Sequence, residues 1–482
     1  ERFFGIITDI SIETKGRDMV LNPPSTENDF VRDLIIESGT FTRAKVSLHL
    51  VMSKGKPEPV RTIPSYFSPV RLASEDDISF IFGREDKRYL YIGSPLDMER
   101  KLCLDLEKFI SRSNGVFGKS GTGKTFLTRL LLAGIIQRNL AVSLIFDMHG
   151  EYGWRGIGED GYEVKGLKQL FPTKLCVFTL DEESSRRKGI SPDFVVRIGY
   201  DEIEPEDIEV LKETLNLTDQ AVEASYQLHR EFGKDWIKSV LSLSKEEERE
   251  FLNSRNIHPG TFGNLRRGLQ QIERLPFMVE EARDKAVPKI LSFLESGKSV
   301  VLEFGRHTGY LPYILVANLI SRRIYTIYRE KTERALGGEG KYPKPLIITI
   351  EEAHKFLSRE LSKKTIFGTI AREMRKFHTT LLIVDQRPSV IDEEVMSQLG
   401  TKAVYFLDNE RDIESVLFGA YPRGEIRALI SRLDTKRQAI LFGHALPMPM
   451  PIITREYGPE FYSEVGKHYE GRAEEIEKLF EE

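Results

Sequence analysis

Residues 118–125 read Gly118-Lys119-Ser120-Gly121-Thr122-Gly123-Lys124-Thr125, which fits the phosphate-binding pattern G-x-x-x-x-G-K-[ST]. A helix predicted over Phe126 to Arg138 follows directly, and the apolar run Ala141 to Phe146 predicts a strand after it. Small residues let successive backbone N–H groups converge on phosphates, Lys124 supplies a positive charge, and the Thr125 hydroxyl can bind Mg²⁺. A chance glycine-rich turn is the alternative, but strand, loop and helix occur in the order that a P-loop requires. The stretch predicts an α/β protein that binds a nucleoside triphosphate with Mg²⁺.

Composition limits what else the chain can be. Its 482 residues are 40% hydrophobic and 30% charged, with a formal net charge of −4. Contact with a polyanion must therefore come from local basic patches. The two cysteines, Cys103 and Cys176, show neither disulfide nor zinc-site spacing, and no segment approaches about 18 consecutive apolar residues. These features predict a cytoplasmic globular protein, and they argue against a membrane-bound DNA pump.

The pattern of predicted elements divides the chain into five segments. Short strands between turn signals, clearest at Ala44 to Val51, indicate a small β-barrel or sandwich at the amino terminus. Charge-rich helical patterns interrupt the α/β pattern and predict an insertion. The segments are an N-terminal β-barrel (1–85), the first part of the ATPase core (86–155), a helical insertion (156–287), the second part of the core (288–455) and a C-terminal helical tail (456–482).

Two acidic residues follow an apolar strand predicted over Leu346 to Ile350. They are Glu351 and Glu352, and the carboxyl ends of such strands are where α/β proteins place their ligands. We expect Glu351 to hold the water shell of Mg²⁺ and Glu352 to act as general base towards the attacking water. Two solvated acids that open a helix are the alternative. Combined with a P-loop, the pair favours a Walker B site.

Further polar residues leave two other predicted strands. Asp147 and Glu151 follow the strand after the P-loop helix and are candidates for positions near the magnesium or the water. Equally, Asp147 could cap the next element while Glu151 faces solvent. Gln386 leaves the strand predicted over Thr380 to Val384 and could sense the γ-phosphate through its amide, although a turn residue would fit as well.

Three arginines are candidates for contact with phosphate. Arg372 and Arg375 stand three apart on a helix predicted over Leu361 to Lys376, so they share one face. In a ring, that face could reach a neighbour's γ-phosphate as an arginine finger, and the spacing does not decide which of the two does so. Without a ring they are surface arginines. Arg112, before the P-loop, could also approach phosphate, and a surface role fits equally.

The motifs together resemble the HerA helicases of the HerA/FtsK superfamily. The matching stretches are the P-loop, Asp147-Met148-His149-Gly150-Glu151-Tyr152, Ile350-Glu351-Glu352-Ala353-His354, Arg372-Glu373-Met374-Arg375-Lys376-Phe377 and Asp385-Gln386-Arg387-Pro388. Leu104 to Lys108 and Ala439 to Pro451 also look like that family, and the likeness is weakest in the predicted insertion. Four positions depart from the usual family pattern. This chain has Met148 where the family usually has Pro, Glu351 where it often has Asp, Met374 where it has Gly and Asp385 where it commonly has Ser.

The resemblance implies a RecA-like P-loop ATPase core that assembles as a hexameric ring, with double-stranded DNA in the pore. An N-terminal barrel like that of ATP synthase subunits would assist assembly and dock a partner. The implied enzyme is a DNA-dependent ATP hydrolase, a helicase or translocase that works with a NurA-like nuclease in DNA end resection and recombinational repair. Two alternatives stay open: the same motor in an antiphage defence complex, and an ATP-gated scaffold ring that activates a partner effector. Transporter ATPases are disfavoured because no Leu-Ser-Gly-Gly-Gln-type signature occurs.

We expect DNA contact to be mainly electrostatic and independent of sequence, because a motor must release and regrip the backbone. The loops after the two core strands would line the pore. A solvated basic face is the alternative for any one residue. The candidates are Trp154, Arg155, Arg359, Lys363 and Lys364.

Overall fold

The computed structural model describes residues 1–14, 40–53, 55–96, 98–157 and 163–466. Residues 459–466 are helical, and most of the predicted C-terminal tail, from 467 onwards, lies outside the described residues. Within the described ranges, no helix has both the length and the apolar character that crossing a bilayer needs.

Strands and helices alternate along most of the described chain. The strands are β1 (Phe3–Thr14), β2 (Thr40–Ser53), β3 (Lys56–Pro59), β4 (Tyr89–Pro95), β5 (Leu102–Asp105), β6 (Asn114–Phe117), β7 (Val142–Asp147), β8 (Gly156–Ile157), β9 (Glu163–Val164), β10 (Leu175–Thr179), β11 (Phe194–Val195), β12 (Ile198–Gly199), β13 (Met278–Val279), β14 (Ser299–Glu303), β15 (Leu346–Glu351), β16 (Thr379–Asp385), β17 (Thr401–Tyr405), β18 (Gln438–Gly443) and β19 (Met450–Thr454). The α-helices are α1 (Glu75–Phe82), α2 (Leu106–Ile110), α3 (Lys124–Arg138), α4 (Leu167–Leu170), α5 (Glu182–Arg187), α6 (Pro205–Val210), α7 (Asp219–Phe232), α8 (Trp236–Ser242), α9 (Lys245–Arg255), α10 (Pro259–Glu273), α11 (Ala286–Glu295), α12 (Tyr310–Leu336), α13 (His354–Leu357), α14 (Ile366–Glu373), α15 (Glu393–Gln398), α16 (Glu410–Val416) and α17 (Arg423–Ile430). Short 3-10 helices cover Tyr200–Glu202, Gly233–Asp235, Met374–Phe377 and Pro388–Val390.

A twelve-stranded sheet in the order β11-β10-β14-β7-β15-β16-β6-β17-β18-β19-β4-β5 forms the centre of the fold. The strands from β11 to β17 run parallel, and the four from β18 to β5 continue the sheet antiparallel. Every residue of β15 is buried: Leu346, Ile348 and Ile350 pack into one hydrophobic cluster and Ile347 into the other. Helices therefore cover both faces of the parallel strands. The predicted α/β class is confirmed.

The elements around the P-loop match their predictions closely. The helix predicted from Phe126 begins at Lys124 and ends, as predicted, at Arg138, and β7 lies one residue beyond the predicted strand. The helix predicted from Leu361 starts only at Ile366 and becomes a 3-10 helix after Glu373. The local patterns were strong here because α3 and β7 are apolar and buried over most of their length.

The prediction of a helical insertion over residues 156–287 is wrong at its beginning. Strands β10 and β11 lie within that range and join the central sheet, with β10 pairing directly to β14. Leu175–Thr179 is buried at every position, so it lacks the alternation that marks a half-exposed strand. The helical part extends from α6 to α10, and the buried Asp207 accepts from Arg322 Nη2 at 2.8 Å, which joins it to α12.

The described N-terminal residues form a three-stranded antiparallel sheet, β1-β2-β3, followed by α1. The strand predicted at Ala44 to Val51 lies inside β2. A closed barrel is not confirmed, because residues 15–39 lie outside the described chain. The small sheet contacts the core where Glu425 meets Ser47 and His49, the latter at 3.3 Å.

Candidate ATP-binding and hydrolysis site

Four neighbouring parallel strands place the predicted site residues at one edge of the sheet. In the order β7-β15-β16-β6, their carboxyl ends lead to Asp147, to Glu351 and Glu352, to Gln386 and to the P-loop. Because parallel strands end at the same edge, residues more than 200 positions apart along the chain become neighbours. The sheet brings the predicted phosphate loop and the predicted Walker B acids together.

The P-loop itself has the backbone that its glycines allow. Gly123 has φ +108°, a left-handed conformation that side chains disfavour, immediately before α3 begins. Lys124 Nζ donates to the Lys119 carbonyl at 2.7 Å. Burial lowers the pKa of Lys124, and nearby carboxylates oppose that effect. The carboxylates are those of Asp385, Glu351, Glu352 and Glu151. Four acids around one lysine leave the site with negative charge. The site therefore favours a polyphosphate that carries a divalent cation rather than a polyphosphate alone.

Asp147 organises the loop after β7. It is fully buried; Oδ1 accepts from the Glu151 N–H at 2.8 Å, and Oδ2 accepts from the N–H groups of Tyr152 at 2.8 Å and Gly153 at 3.2 Å. Both carboxylate oxygens accept from backbone N–H groups, as the alternative of a capping role predicts, and action of Asp147 at the magnesium or the water stays a prediction. The loop carries Glu151 to the P-loop, where its Oε2 accepts from the Thr125 hydroxyl at 3.0 Å.

Glu351 ends β15 close enough for its charge to act on Lys124, and one of its oxygens is unpaired within the described structure. Tyr152 donates its hydroxyl to Oε1 at 2.9 Å, while the buried Oε2 has no hydrogen-bond partner among the described residues. Burial, with the charges of Asp147 and Glu151 nearby, raises the pKa of Glu351 well above its usual range. An orphaned carboxylate oxygen near the Thr125 loop fits a hydrated Mg²⁺. No group of three or more acidic, histidine or cysteine side chains in the described chain forms a separate metal site.

Glu352 follows in an unusual backbone conformation. Its φ is +49°, which is uncommon for a residue with a side chain. Oε1 accepts from Gln386 Nε2 at 3.1 Å, and Oε2 lies 3.7 Å from His354 Nε2. The structure thus places Gln386 on Glu352 and brings both residues to the same edge as Lys124.

The predicted arginine pair lies away from this edge within one subunit. Helix α14 leads back towards the amino end of β16, and Arg372 Nη1 donates to the Ser362 carbonyl at 3.2 Å. Arg375 falls in the 3-10 helix Met374–Phe377, and its side chain lies outside the described part of the structure. A contact of Arg372 with nucleotide would therefore need a second subunit, and the contact proposed for Arg375 stays a prediction.

Arg112 is at the wrong end of β6 for its predicted role. It precedes Asn114, whereas the P-loop follows Phe117, and a four-residue strand spans about 13 Å. Arg112 packs beside Gly400, where an added Cβ would lie 2.6 Å from the Arg112 Cβ. Within one subunit, the predicted contact of Arg112 with the phosphates at the P-loop is wrong.

The five DNA candidates occupy different environments. Trp154 is half-buried and packs against the hydrophobic cluster that contains Tyr152. The remaining four are exposed. Arg155 lies 3.5 Å from Glu163, Arg359 pairs with Glu393, and Lys363 and Lys364 lie in the connection between β15 and α14.

Sequence reasoning missed two acids of this region. Glu303 ends β14 beside Asp147, and burial together with the Asp147 charge raises its pKa to about 8. Asp385 ends β16, and both of its oxygens lie within 3.2 Å of His354 Nδ1. Glu303 follows the apolar run Val300-Val301-Leu302 just as Glu351 follows Leu346–Ile350, so the same strand-end signal could have found it. Asp385 stood out only as a departure from a family pattern.

Comparison with known proteins agrees with this arrangement. A family model described as the central domain of helicase HerA matches residues 90–324. The chain is 26% identical over 405 residues to the DNA double-strand break repair helicase HerA of Pyrococcus furiosus, covering 78% of this chain and 71% of that protein. The protein of the same name from Sulfurisphaera tokodaii is 27% identical over 414 residues, covering 85% of this chain and 77% of the relative.

Two solved structures share the fold at low sequence identity. VirB4 of Thermoanaerobacter pseudethanolicus superposes with a TM-score of 0.50 at 12% identity, covering 78% of this chain and 98% of that one. The trigonal form of the bacterial conjugative coupling protein TrwB gives a TM-score of 0.51 at 12% identity, covering 83% and 97%. At such identities the likeness concerns the fold alone.

Proposed function

We propose, from the match to the HerA central-domain model and to the two archaeal helicases, that this chain is an ATP-hydrolysing motor of the HerA type that moves along double-stranded DNA. The observation that carries the hydrolytic part is the meeting of Lys124, Glu351, Glu352 and Gln386 at one edge of the sheet. The names of the two archaeal relatives support DNA as the substrate.

Each residue of the site has a role in hydrolysis. Backbone N–H groups of the P-loop bind the phosphates, and Lys124 exchanges the Lys119 carbonyl for phosphate oxygens. Thr125 and Glu351 would hold Mg²⁺, which supplies positive charge to the phosphates. Glu352 orients the attacking water and accepts its proton, while Gln386 holds the carboxylate of Glu352 from the side. Glu151 accepts a hydrogen bond from the Thr125 hydroxyl and so holds that hydroxyl in position at the P-loop.

Assembly as a hexameric ring would complete the site. Arg372 lies away from its own P-loop, so it can serve only a neighbour, and Arg375 is proposed for the same role from its position in the sequence. An arginine supplied by the next subunit would stabilise the charge that develops on the γ-phosphate. The rate of hydrolysis at one subunit would then depend on the position of the neighbouring subunit.

DNA would pass along the loops that follow β7 and β15. Lys363 and Lys364 are exposed and lie in the connection that starts at Glu352, so motion of that connection on hydrolysis would reach them directly. Arg155 and Arg359 each have an acidic neighbour, and phosphates would compete for them. Trp154 contributes chiefly packing. We propose that the N-terminal sheet docks a NurA-like nuclease for end resection.

The test is ATP hydrolysis by purified protein with and without linear duplex DNA, across a salt series. We expect stimulation by DNA that fades as salt rises, because phosphate contacts release counterions. Glu352→Gln should abolish hydrolysis, and Glu330→Gln, on the exposed surface of α12, should leave it unchanged. Hydrolysis that needs Glu352 but ignores DNA, even with a nuclease partner present, would contradict the translocase and favour an ATP-gated scaffold ring.

A further inference from the structure

His354 stands between two carboxylates at the hydrolysis site. Its Nδ1 lies 3.0 Å and 3.2 Å from the two oxygens of Asp385, and its Nε2 lies 3.7 Å from Glu352 Oε2. The backbone N–H of His354 also donates to Asp385 Oδ2 at 2.7 Å. His354 is therefore attached to Asp385 through ring Nδ1 and through its backbone N–H, and the remaining ring nitrogen faces Glu352.

Asp385 is itself fixed to the P-loop. Its side chain is fully buried, and its backbone carbonyl accepts from the Gly118 N–H at 3.2 Å. The Arg387 N–H donates to Oδ1 at 2.6 Å. A continuous set of hydrogen bonds thus runs from the first residue of the P-loop, through Asp385, to the ring of His354.

Glu352 needs such support. Its left-handed backbone, with φ +49°, costs free energy in a residue with a side chain and persists only where its surroundings hold it. Gln386 donates to Oε1 at 3.1 Å, which leaves Oε2 as the oxygen that faces His354. The two groups that flank the carboxylate come from α13 and from the end of β16, so its direction depends on both elements.

We propose that Asp385 and His354 form a positioning pair that directs the carboxylate of Glu352 towards the attacking water. Asp385 positions Glu352 through His354, in addition to the effect of its charge on Lys124. The inference rests on the proposed role of Glu352 as general base, and it adds the two residues that set its geometry. A misplacement of about 1 Å at a reacting group costs about 100-fold in rate, which sets the scale of the expected effect.

A purely structural role for Asp385 would give different results. In that case its hydrogen bonds to the His354 and Arg387 N–H groups would matter only because they hold the loop after β16. Asp412 offers a matched control, because it is also buried and accepts from the N–H of Ser389 in the same loop, at 2.9 Å. It makes no contact with the His354 ring that the described structure records.

The experiment is a double-mutant cycle on steady-state ATP hydrolysis with Asp385→Asn, His354→Ala and the combination. We expect each single variant to lower kcat about 10- to 100-fold with KM for ATP within about twofold. The combination should be no slower than His354→Ala alone, because residues that act as a unit are not additive. Asp412→Asn should keep kcat within about twofold.

Four outcomes would overturn the pair: additive losses in the double variant, a raised KM with kcat unchanged, an equal loss of kcat in Asp412→Asn, or wild-type kcat in His354→Ala. Glu352→Gln is measured in parallel. If it still hydrolyses ATP, the proposed role of Glu352 fails. If it is inactive while His354→Ala keeps wild-type kcat, only the positioning pair fails. Should His354→Ala not fold, His354→Phe keeps the ring, loses both nitrogens and takes its place in the cycle.

Discussion

Replacing Tyr152 by phenylalanine removes the hydroxyl that donates to Glu351, a proposed magnesium ligand. That hydroxyl donates to Glu351 Oε1 at 2.9 Å, in a place where both side chains are buried and the other oxygen of Glu351 has no partner in the described structure. A hydrogen bond to a charged group is worth about 1.5 to 3 kcal/mol. At ~1.4 kcal/mol per factor of ten, its loss corresponds to about 10- to 150-fold in an equilibrium constant.

The pKa of Glu351 decides whether the variant binds Mg²⁺ more weakly or more tightly. Burial already raises that pKa, and the Tyr152 hydroxyl opposes the rise because it stabilises the charged form. Tyr152→Phe should raise the pKa further, so that less of the carboxylate is ionised and Mg²⁺ is held more weakly. We expect the Mg²⁺ concentration for half-maximal ATP hydrolysis to increase by up to that factor, and to increase most at low pH.

The assay is ATP hydrolysis at fixed nucleotide over a Mg²⁺ titration, at several pH values. Tyr313→Phe is the matched control, because the Tyr313 hydroxyl donates at 2.9 Å to the backbone carbonyl of the same Glu351 and Tyr313 is equally buried. Tyr152→Phe should lose about 1.5 to 3 kcal/mol of stability and Tyr313→Phe about 1 kcal/mol, because only the first hydrogen bond goes to a carboxylate. Only Tyr152→Phe should shift the Mg²⁺ requirement. An unchanged requirement in Tyr152→Phe, or an equal shift in Tyr313→Phe, would refute the reasoning.

Two other predictions use different parts of the chain. Burial lowers the pKa of Lys402 to about 7, below the value of about 10.4 in an unfolded chain, so between these pH values only the unfolded state binds the proton. The free energy of unfolding, measured by urea titration, should therefore rise by at most ~5 kcal/mol from pH 7 to about pH 10. Lys402→Met should flatten this rise, and an identical pH profile in that variant would contradict the prediction. Arg372→Ala and Glu352→Gln subunits should each be inactive alone. They should regain ATP hydrolysis when mixed, because a mixed ring pairs an intact base with a neighbour's intact arginine. Mixtures as inactive as either variant would exclude Arg372 as an arginine finger acting between subunits.

The residues of the nucleotide site were readable from the sequence where the signal is local. The P-loop spacing, the helix that follows it and the acids that end an apolar strand all lie within short stretches, and the backbone there does what those residue types favour. Strand β15 and helix α3 accordingly appear within two residues of their predicted bounds. Strand β10 escaped prediction because its apolar run is short, Leu175–Thr179, and lies in a segment whose charge-rich patterns predict helices.

Roles that depend on distant contacts needed the tertiary structure. Asp147 and Glu351 are both acids at strand ends, yet one binds three backbone N–H groups and the other keeps a buried oxygen unpaired. Arg112 is close to the P-loop along the chain, but an intervening strand carries the two to opposite edges of the sheet.

By itself, the sequence determined that this chain is an α/β protein with a P-loop and Walker B acids, because glycine spacing and apolar runs act over a few neighbouring residues. Only the tertiary structure decided which carboxylates face the site and which hold loops, and that His354 lies between Asp385 and Glu352. Those assignments depend on strand order: parallel pairing sets β7, β15, β16 and β6 side by side, although they are far apart along the chain.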